Sequence, residues 1–136
     1  MRRVVVTGVG LVSSLGTGVE KTWEALLKGE TGIKLIESFD TEDLAVKMAG
    51  VVDDFNPEDF GIDKKELKKL ARFSQFGIAA SKMALDDSGL IIDENNAERI
   101  GVIVSSGIGG LDVFEEQHIN LVDKGAKRVS AFTIPA

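Results

Sequence analysis

The side chains that most often carry out chemistry are scarce in this sequence. It has no cysteine and a single histidine, His118. A thiolate nucleophile, a disulfide and a cysteine-bound metal are therefore excluded within these residues, and one histidine is too few for a zinc site or a histidine-dependent triad. Paired acids such as Asp53-Asp54 and Glu115-Glu116 occupy adjacent positions, which do not face each other on a helix. We assign no catalytic residue and no metal site to this sequence.

Four lysines are clustered in the middle of the chain, at the spacing i, i+1, i+4, i+5: Lys64, Lys65, Lys68 and Lys69. On a helix these positions form one basic stripe, although the formal net charge of the whole chain is -6. The acidic balance argues against a protein whose main task is to bind nucleic acid. From spacing alone, the stripe is either a solvated helix face or a docking patch for an acidic partner.

Gly8-Val9-Gly10 follows an apolar run and matches the beginning of the dinucleotide-binding pattern G-x-G-x-x-G. In that pattern the glycines let the backbone approach a pyrophosphate. Here the third glycine position is Ser13, and no second strand that ends in an acid follows at the expected distance. A nucleotide-binding α/β domain is therefore the hypothesis that we rank last.

A second glycine-rich segment runs from Ser106 to Gly110. It lacks the G-x-S-x-G pattern of a nucleophile elbow, so we interpret it as a tight turn from a strand to a helix. Its glycines have no Cβ atoms and would let a ligand lie along the backbone. Ile108 projects from this loop and is a candidate to line or gate an apolar tunnel.

Strand and helix patterns alternate in the first half of the chain. The β-branched run from Arg2 to Thr7 predicts a strand buried on both faces. Thr17 and Glu20 have the spacing of a capping box and predict a helix that ends at Gly29. The apolar side chains of this helix fall on one face: Val19, Trp23, Leu26 and Leu27. Residues 30–62 predict irregular strands and a surface excursion.

The second half of the chain continues this alternation. Asp63 followed by Glu66 predicts a helix start, and the helical pattern reaches Gly89 with a break near residues 71–73. Small residues between 77 and 84 predict close packing of this helix against another element. The remaining elements are an apolar strand and a helix, Ile100 to Ser106 and Leu111 to Asp123. This order of elements predicts an α/β layer fold.

The apolar segment at the end of the chain and the small number of strands indicate a half-built sheet. Too few strands are present to cover both faces of a buried sheet, which predicts exposed apolar surface and a tendency to associate. No apolar run reaches transmembrane length, and Met1-Arg2-Arg3 leads directly into the first strand without a signal-peptide pattern. We expect that the protein is cytoplasmic and that this sequence is only part of it.

Four segments, taken in their order and spacing, make the sequence resemble the type II β-ketoacyl-acyl carrier protein synthases, which are thiolase-like condensing enzymes. They are Val4 to Gly10, Thr22 to Gly29, Ser38 to Asp40, and Ser105 to Gly110. The resemblance extends from Met1 to Ala136. It implies that residues 1–136 are the N-terminal part of a β-ketoacyl synthase N-terminal domain, truncated at its C-terminal end, with a thiolase-like layered α/β fold.

The resemblance also implies an activity for the complete protein. Such an enzyme condenses an acyl thioester with malonyl-acyl carrier protein in fatty acid biosynthesis, usually as a homodimer and without a cofactor. A cysteine takes the acyl chain from the carrier and two histidines assist the attack on that thioester. In the family these residues and a supporting lysine lie beyond the end of this sequence, so we expect residues 1–136 to be inactive alone.

Binding roles are what the resemblance carries over to this chain. Gly107 and Ile108 correspond to the loop at the acyl pocket, with the isoleucine as its gate. The segment at the dimer interface that reaches toward the partner's acyl pocket corresponds to Phe132, Thr133 and Ile134. Thr133 replaces an aromatic residue of some relatives. The four lysines of the stripe correspond to the patch that docks acyl carrier protein.

A hypothesis from a different class remains open beside the condensing enzyme. The chain could be a stand-alone module that binds acyl carrier protein or an acyl chain through the same lysines and the same loop, without chemistry. That hypothesis predicts that residues 1–136 are the complete folded product.

Overall fold

The computed structural model describes residues 2–135. The chain divides into two compact units, one made of the residues up to Asn56 with Ala79–Leu90, the other of Pro57–Ile78 with the residues from Ile91 onward. The helices are α1 (Val19–Leu27), α2 (Lys64–Leu67), α3 (Arg72–Ser88) and α4 (Leu111–Lys124). The strands are β1 (Val12–Ser13), β2 (Gly16–Thr17), β3 (Ile33–Leu35) and β4 (Met48–Gly50). The described residues also form 3-10 turns at Pro57–Phe60, Ala97–Arg99 and Ala126–Arg128.

Two short antiparallel hairpins belong to the first unit. Strand β1 pairs with β2, with Val12 opposite Thr17. Strand β3 pairs with β4, with Ile33 opposite Gly50 and Leu35 opposite Met48. The second pair confirms the irregular strands predicted between residues 30 and 62.

Helix α1 ends as predicted but begins differently. Gly29 has φ 69°, a left-handed conformation that glycine adopts without strain, and it terminates the helix. The predicted Thr17 capping box is wrong, since Gly18 occupies the cap position without a side-chain hydrogen bond. Thr17 is engaged in β2, and its Oγ1 is buried without a hydrogen-bond partner. The hairpin therefore holds Thr17 away from the free N–H groups of the helix.

The face of α1 that carries small side chains is buried, and the face that carries large apolar side chains is exposed. Thr22 and Ala25 are the buried residues, and the Thr22 hydroxyl donates to Gly16 O at 3.1 Å. Trp23 and Leu27 are 59% and 70% exposed. The predicted apolar stripe thus exists, but nothing among the described residues covers it.

The glycines of Gly8-Val9-Gly10 are explained by packing in the first unit. A Cβ atom at Gly8 would lie 2.1 Å from Ala84 O, and one at Gly10 would lie 2.1 Å from Ala80 O. Both oxygens belong to the backbone of α3, so the small residues of this helix allow the close approach that the sequence predicted. The space that a pyrophosphate would need beside these glycines is filled by the helix, which removes the basis of the nucleotide-binding hypothesis.

The two strands predicted from apolar runs are not formed. Residues 2–7 and 100–106 pair with no strand among residues 2–135. Val4 is 94% exposed and Ile103 is 96% exposed. A strand that is buried on both faces needs neighbours on its two edges, and the described sheets have only two strands each. The prediction of exposed apolar surface is confirmed.

An ion pair in the first unit depresses the pKa of one carboxyl group. The Lys21 ammonium donates a hydrogen bond to Asp54 Oδ2, and the Thr17 N–H lies 3.4 Å from the same oxygen. Both contacts lower the pKa of Asp54, and that of Lys21 contributes most. A carboxyl group with a depressed pKa stabilises the folded state above its unfolded pKa and loses this effect as the pH falls through its folded pKa.

Lys21→Met is expected to raise the pKa of Asp54, because the charge that stabilises the carboxylate is removed. The variant should also lose less stability on acidification than the parent. NMR titration of the Asp54 carboxyl carbon measures the shift. Lys34→Met is the matched control, since Lys34 pairs with the neighbouring Asp53. An Asp54 titration that is the same in Lys21→Met and in the parent protein would contradict the assignment.

In the part of the chain that the structure describes, no helix combines the length and the apolar character required to cross a membrane.

Candidate functional site

The lysine stripe begins at a well-capped helix in the second unit. Asp63 Oδ1 accepts hydrogen bonds from the N–H groups of Lys65 at 2.7 Å and Glu66 at 2.9 Å. These bonds satisfy two of the free donors at the start of α2. The helix start predicted at Asp63 is confirmed.

The stripe itself spans a helix and the turn after it. Lys64 and Lys65 lie on α2, Lys68 caps its C-terminus, and the Lys69 N–H donates to Glu66 O at 2.8 Å. The predicted break between the two helices is confirmed, although it lies at residues 68–71, slightly earlier than expected. All four lysines are exposed.

Two lysines of the stripe have close partners in the same unit. Lys64 Nζ lies 3.4 Å from Glu58 Oε1, a contact that is too exposed to contribute much stability. Lys69 Nζ lies 5.3 Å from the centre of the Phe132 ring, within cation–π range. Within residues 2–135, Lys65 and Lys68 form no ion pair, so an acidic partner would meet two exposed cations there.

The glycine loop, residues 105–110, is a tight turn into α4. Gly109 has φ 80°, and its N–H donates to Ser106 Oγ at 3.0 Å. A Cβ atom at Gly110 would lie 2.7 Å from the Ala71 Cβ, so this end of the loop packs closely. The Ser106 hydroxyl is thus part of the turn, in agreement with its interpretation as a structural residue.

The tip of the glycine loop is open and apolar. Ile108 is 76% exposed, and no atom lies within 4 Å of the position that a Cβ at Gly107 would occupy. A side chain at this tip can therefore line a pocket whose other walls are formed by other segments.

The second predicted pocket segment is a compact turn, residues 130–134, which we call the Ser130 turn. The Thr133 hydroxyl donates to Ser130 O at 2.6 Å, and Ser130 Oγ accepts from the Phe132 N–H at 3.1 Å. Because its hydroxyl is used inside the turn, Thr133 has only its methyl group left for packing. Ile134 is 80% exposed. Both predicted pocket segments therefore present apolar groups to solvent.

Other titratable residues that the sequence analysis singled out lie on the surface or in ion pairs. His118 is exposed on α4. Asp53 and Asp54 form separate ion pairs with Lys34 and Lys21, as structural surface acids do. No cluster of three or more metal-ligating side chains is found among residues 2–135.

A cavity beside the stripe escaped the sequence analysis. Its volume is about 410 Å³, and its walls are Gly61, Ile62, Glu66, Lys69, Leu70 and Ile78. Ile62 is only 2% exposed. An apolar residue directly before a helix cap is a recognisable signal, because it often packs against the first turn of the helix. The cavity places apolar surface next to the basic stripe.

The fold matches solved ketosynthases. One is the ishigamide ketosynthase/chain length factor, with a TM-score of 0.73 and 33% identity, where the match covers 97% of this chain and 33% of that one. Another is a β-ketoacyl synthase from Burkholderia phymatum STM815, with a TM-score of 0.77 and 25% identity over 98% of this chain and 33% of that one. The class of fold is therefore the thiolase-like α/β fold of the ketosynthases.

The family follows from sequence. The model of the β-ketoacyl synthase N-terminal domain matches residues 1–136, so the chain belongs to the β-ketoacyl synthase family. It is 50% identical over 135 residues to 3-oxoacyl-acyl-carrier-protein synthase 2 of Vibrio harveyi. It is 49% identical over 134 residues to the protein of the same name in Staphylococcus aureus strain COL. These matches cover 99% and 98% of this chain, which spans about a third of the relatives' length (32%).

Proposed function

We propose that the chain is the N-terminal third of a type II 3-oxoacyl-acyl-carrier-protein synthase, an acyltransferase of fatty acid biosynthesis. The observation that carries this proposal is the identity of about half of all residues with synthases of that name, over nearly the whole chain. The proposal includes a cytoplasmic homodimer, as the family resemblance implies.

The proposed reaction has two stages. A cysteine thiolate outside residues 1–136 takes the acyl group from its carrier thioester and releases the carrier thiol. Malonyl-acyl carrier protein then loses CO2, and the resulting carbanion equivalent attacks the acyl-enzyme thioester. The new carbon–carbon bond gives a 3-oxoacyl-carrier thioester, and the cysteine thiolate is released. Residues 1–136 contain no cysteine, so they contribute binding surfaces to this reaction and are inactive alone.

The lysine stripe is the proposed docking surface for acyl carrier protein. Its support is that all four lysines are exposed and that, among the described residues, Lys65 and Lys68 have no ion-pair partner. Positive charge on an otherwise acidic chain steers an acidic partner to this place and speeds association. The apolar cavity beside Lys69 offers packing surface next to the charges.

The acyl pocket is the second proposed site. In the proposed homodimer its wall combines the tip of the glycine loop of one subunit, Gly107 and Ile108, with the Ser130 turn of the other subunit, Thr133 and Ile134. Support comes from the open space beside Gly107 and from the exposed apolar side chains of Ile108 and Ile134. An alkyl chain needs such a lining and no charged partner.

Charge reversal tests the docking surface. The double variant Lys65→Glu/Lys69→Glu of the complete synthase is expected to bind acyl carrier protein about tenfold to a hundredfold more weakly at low salt, chiefly through slower association. Surface plasmon resonance over a series of salt concentrations measures both rates.

The matched control changes the net charge equally at lysines outside the stripe. Lys28→Glu/Lys82→Glu replaces two exposed lysines of the first unit. It should reduce the association rate by less than about threefold, because long-range charge effects are screened by salt. Equal losses in the two double variants would remove the docking assignment.

A further inference from the structure

Gln117 joins helix α4 to the Ser130 turn. Its side chain is half-buried in the middle of the helix, and Gln117 Oε1 accepts a hydrogen bond from the Ser130 N–H at 2.8 Å. The two residues are 13 positions apart, so this bond fixes a distant segment of chain against a stable helix. At this distance the bond has normal N–H···O geometry.

The bonds inside the turn transmit the position of Ser130 to Thr133. Ser130 O accepts from both the N–H and the hydroxyl of Thr133, at 3.2 Å and 2.6 Å. On the other side, the ammonium of Lys69 lies over the Phe132 ring. Gln117 therefore holds the turn at Ser130, and Lys69 contacts it at Phe132.

The geometry points to Gln117 as a positioning residue that sets the acyl chain-length preference of the synthase. It acts through Ser130 on Thr133 and Ile134. This inference rests on the proposed function, because it takes these two residues as part of the acyl pocket. Loss of the acceptor at position 117 frees the start of the turn, and the pocket wall then shifts relative to the alkyl chain.

The test compares acyl primers of two lengths in the complete synthase. Gln117→Leu removes the hydrogen-bond acceptor and leaves an apolar side chain that is one atom shorter. It is expected to change the ratio of kcat/KM between sixteen-carbon and eight-carbon acyl-carrier primers by about threefold to tenfold. Gln117→Glu retains an acceptor oxygen and should keep the ratio of the parent enzyme. Gln117→Ala replaces the leucine variant if leucine prevents folding.

A control and a second readout separate positioning from general damage. Glu116→Leu places the same side chain one residue earlier on the exposed surface of α4 and should leave the ratio unchanged. Amide hydrogen exchange at Ser130 should accelerate in Gln117→Leu and remain slow in Gln117→Glu. An active parent with the same ratio in Gln117→Leu would overturn this inference alone. A parent without condensing activity would overturn the proposed function and the pocket role together.

Discussion

Gly10→Ala is expected to destabilise the protein by about 3 kcal/mol, the upper end of the usual cost of overpacking. The new Cβ would lie 2.1 Å from Ala80 O and 2.6 Å from Ala84 N. Both are backbone atoms of α3, which cannot turn aside as the tip of a flexible side chain can. Either the helix or the segment around Gly10 must move. Denaturant unfolding of the parent and the variant measures the difference in free energy.

Gly101→Ala is the matched control for this prediction. No atom lies within 4 Å of the added Cβ, and the backbone of Gly101 is not in the left-handed region. We expect a change within about 0.5 kcal/mol, as for most substitutions that touch nothing. Equal free energies of unfolding for Gly10→Ala and Gly101→Ala would show that the close approach to α3 is absent in solution.

Ile108→Phe in the complete synthase is expected to lower kcat/KM for a sixteen-carbon acyl primer by about tenfold or more, since overpacking of a pocket costs 1–3 kcal/mol. The larger ring would occupy space that the end of a long alkyl chain needs. A six-carbon primer should not reach this space and should react at nearly the parent rate. Steady-state rates of 3-oxoacyl-carrier formation with both primers provide the measurement.

The control for this prediction is an exposed isoleucine elsewhere. Ile91→Phe makes the same substitution at a residue that is 79% exposed and outside the proposed pocket. Both primers should react normally in that variant. If Ile108→Phe lowers the rates of the two primers equally, Ile108 does not discriminate between chain lengths and its assignment to the pocket wall fails.

Local signals in the sequence were sufficient for most helix ends. Asp63 caps α2, and Gly29 and Gly89 end α1 and α3 with positive φ angles. These features depend on a few neighbouring residues, so spacing and residue type predict them. The small residues of α3 likewise predicted a close approach, which the structure identifies as that of Gly8 and Gly10.

Features that depend on distant partners were predicted less well. The apolar runs 2–7 and 100–106 have the composition of buried strands, but strand formation requires neighbouring strands that the described residues do not supply. Thr17 has the spacing of a cap, yet its pairing in a hairpin overrides that local preference. No pattern in the sequence predicts the hydrogen bond between Gln117 and Ser130.

For the candidate surfaces, too, features set by neighbouring residues were predictable and features set by tertiary packing were not. The spacing of the four lysines predicted a basic patch, and their exposure agrees with it. Spacing could not show that Lys69 lies over Phe132 or that an apolar cavity adjoins it, because both depend on tertiary packing.

Locating the acyl-enzyme bond would show whether the chain is part of a condensing enzyme. The protein isolated from its source would be incubated with acyl-acyl carrier protein, digested and analysed by mass spectrometry. We expect the acyl mass on a cysteine peptide from outside residues 1–136, in a protein much larger than 14.6 kDa. A protein with the mass of residues 1–136 that binds the carrier without forming any acyl adduct would contradict the proposed condensing enzyme and favour a stand-alone binding module.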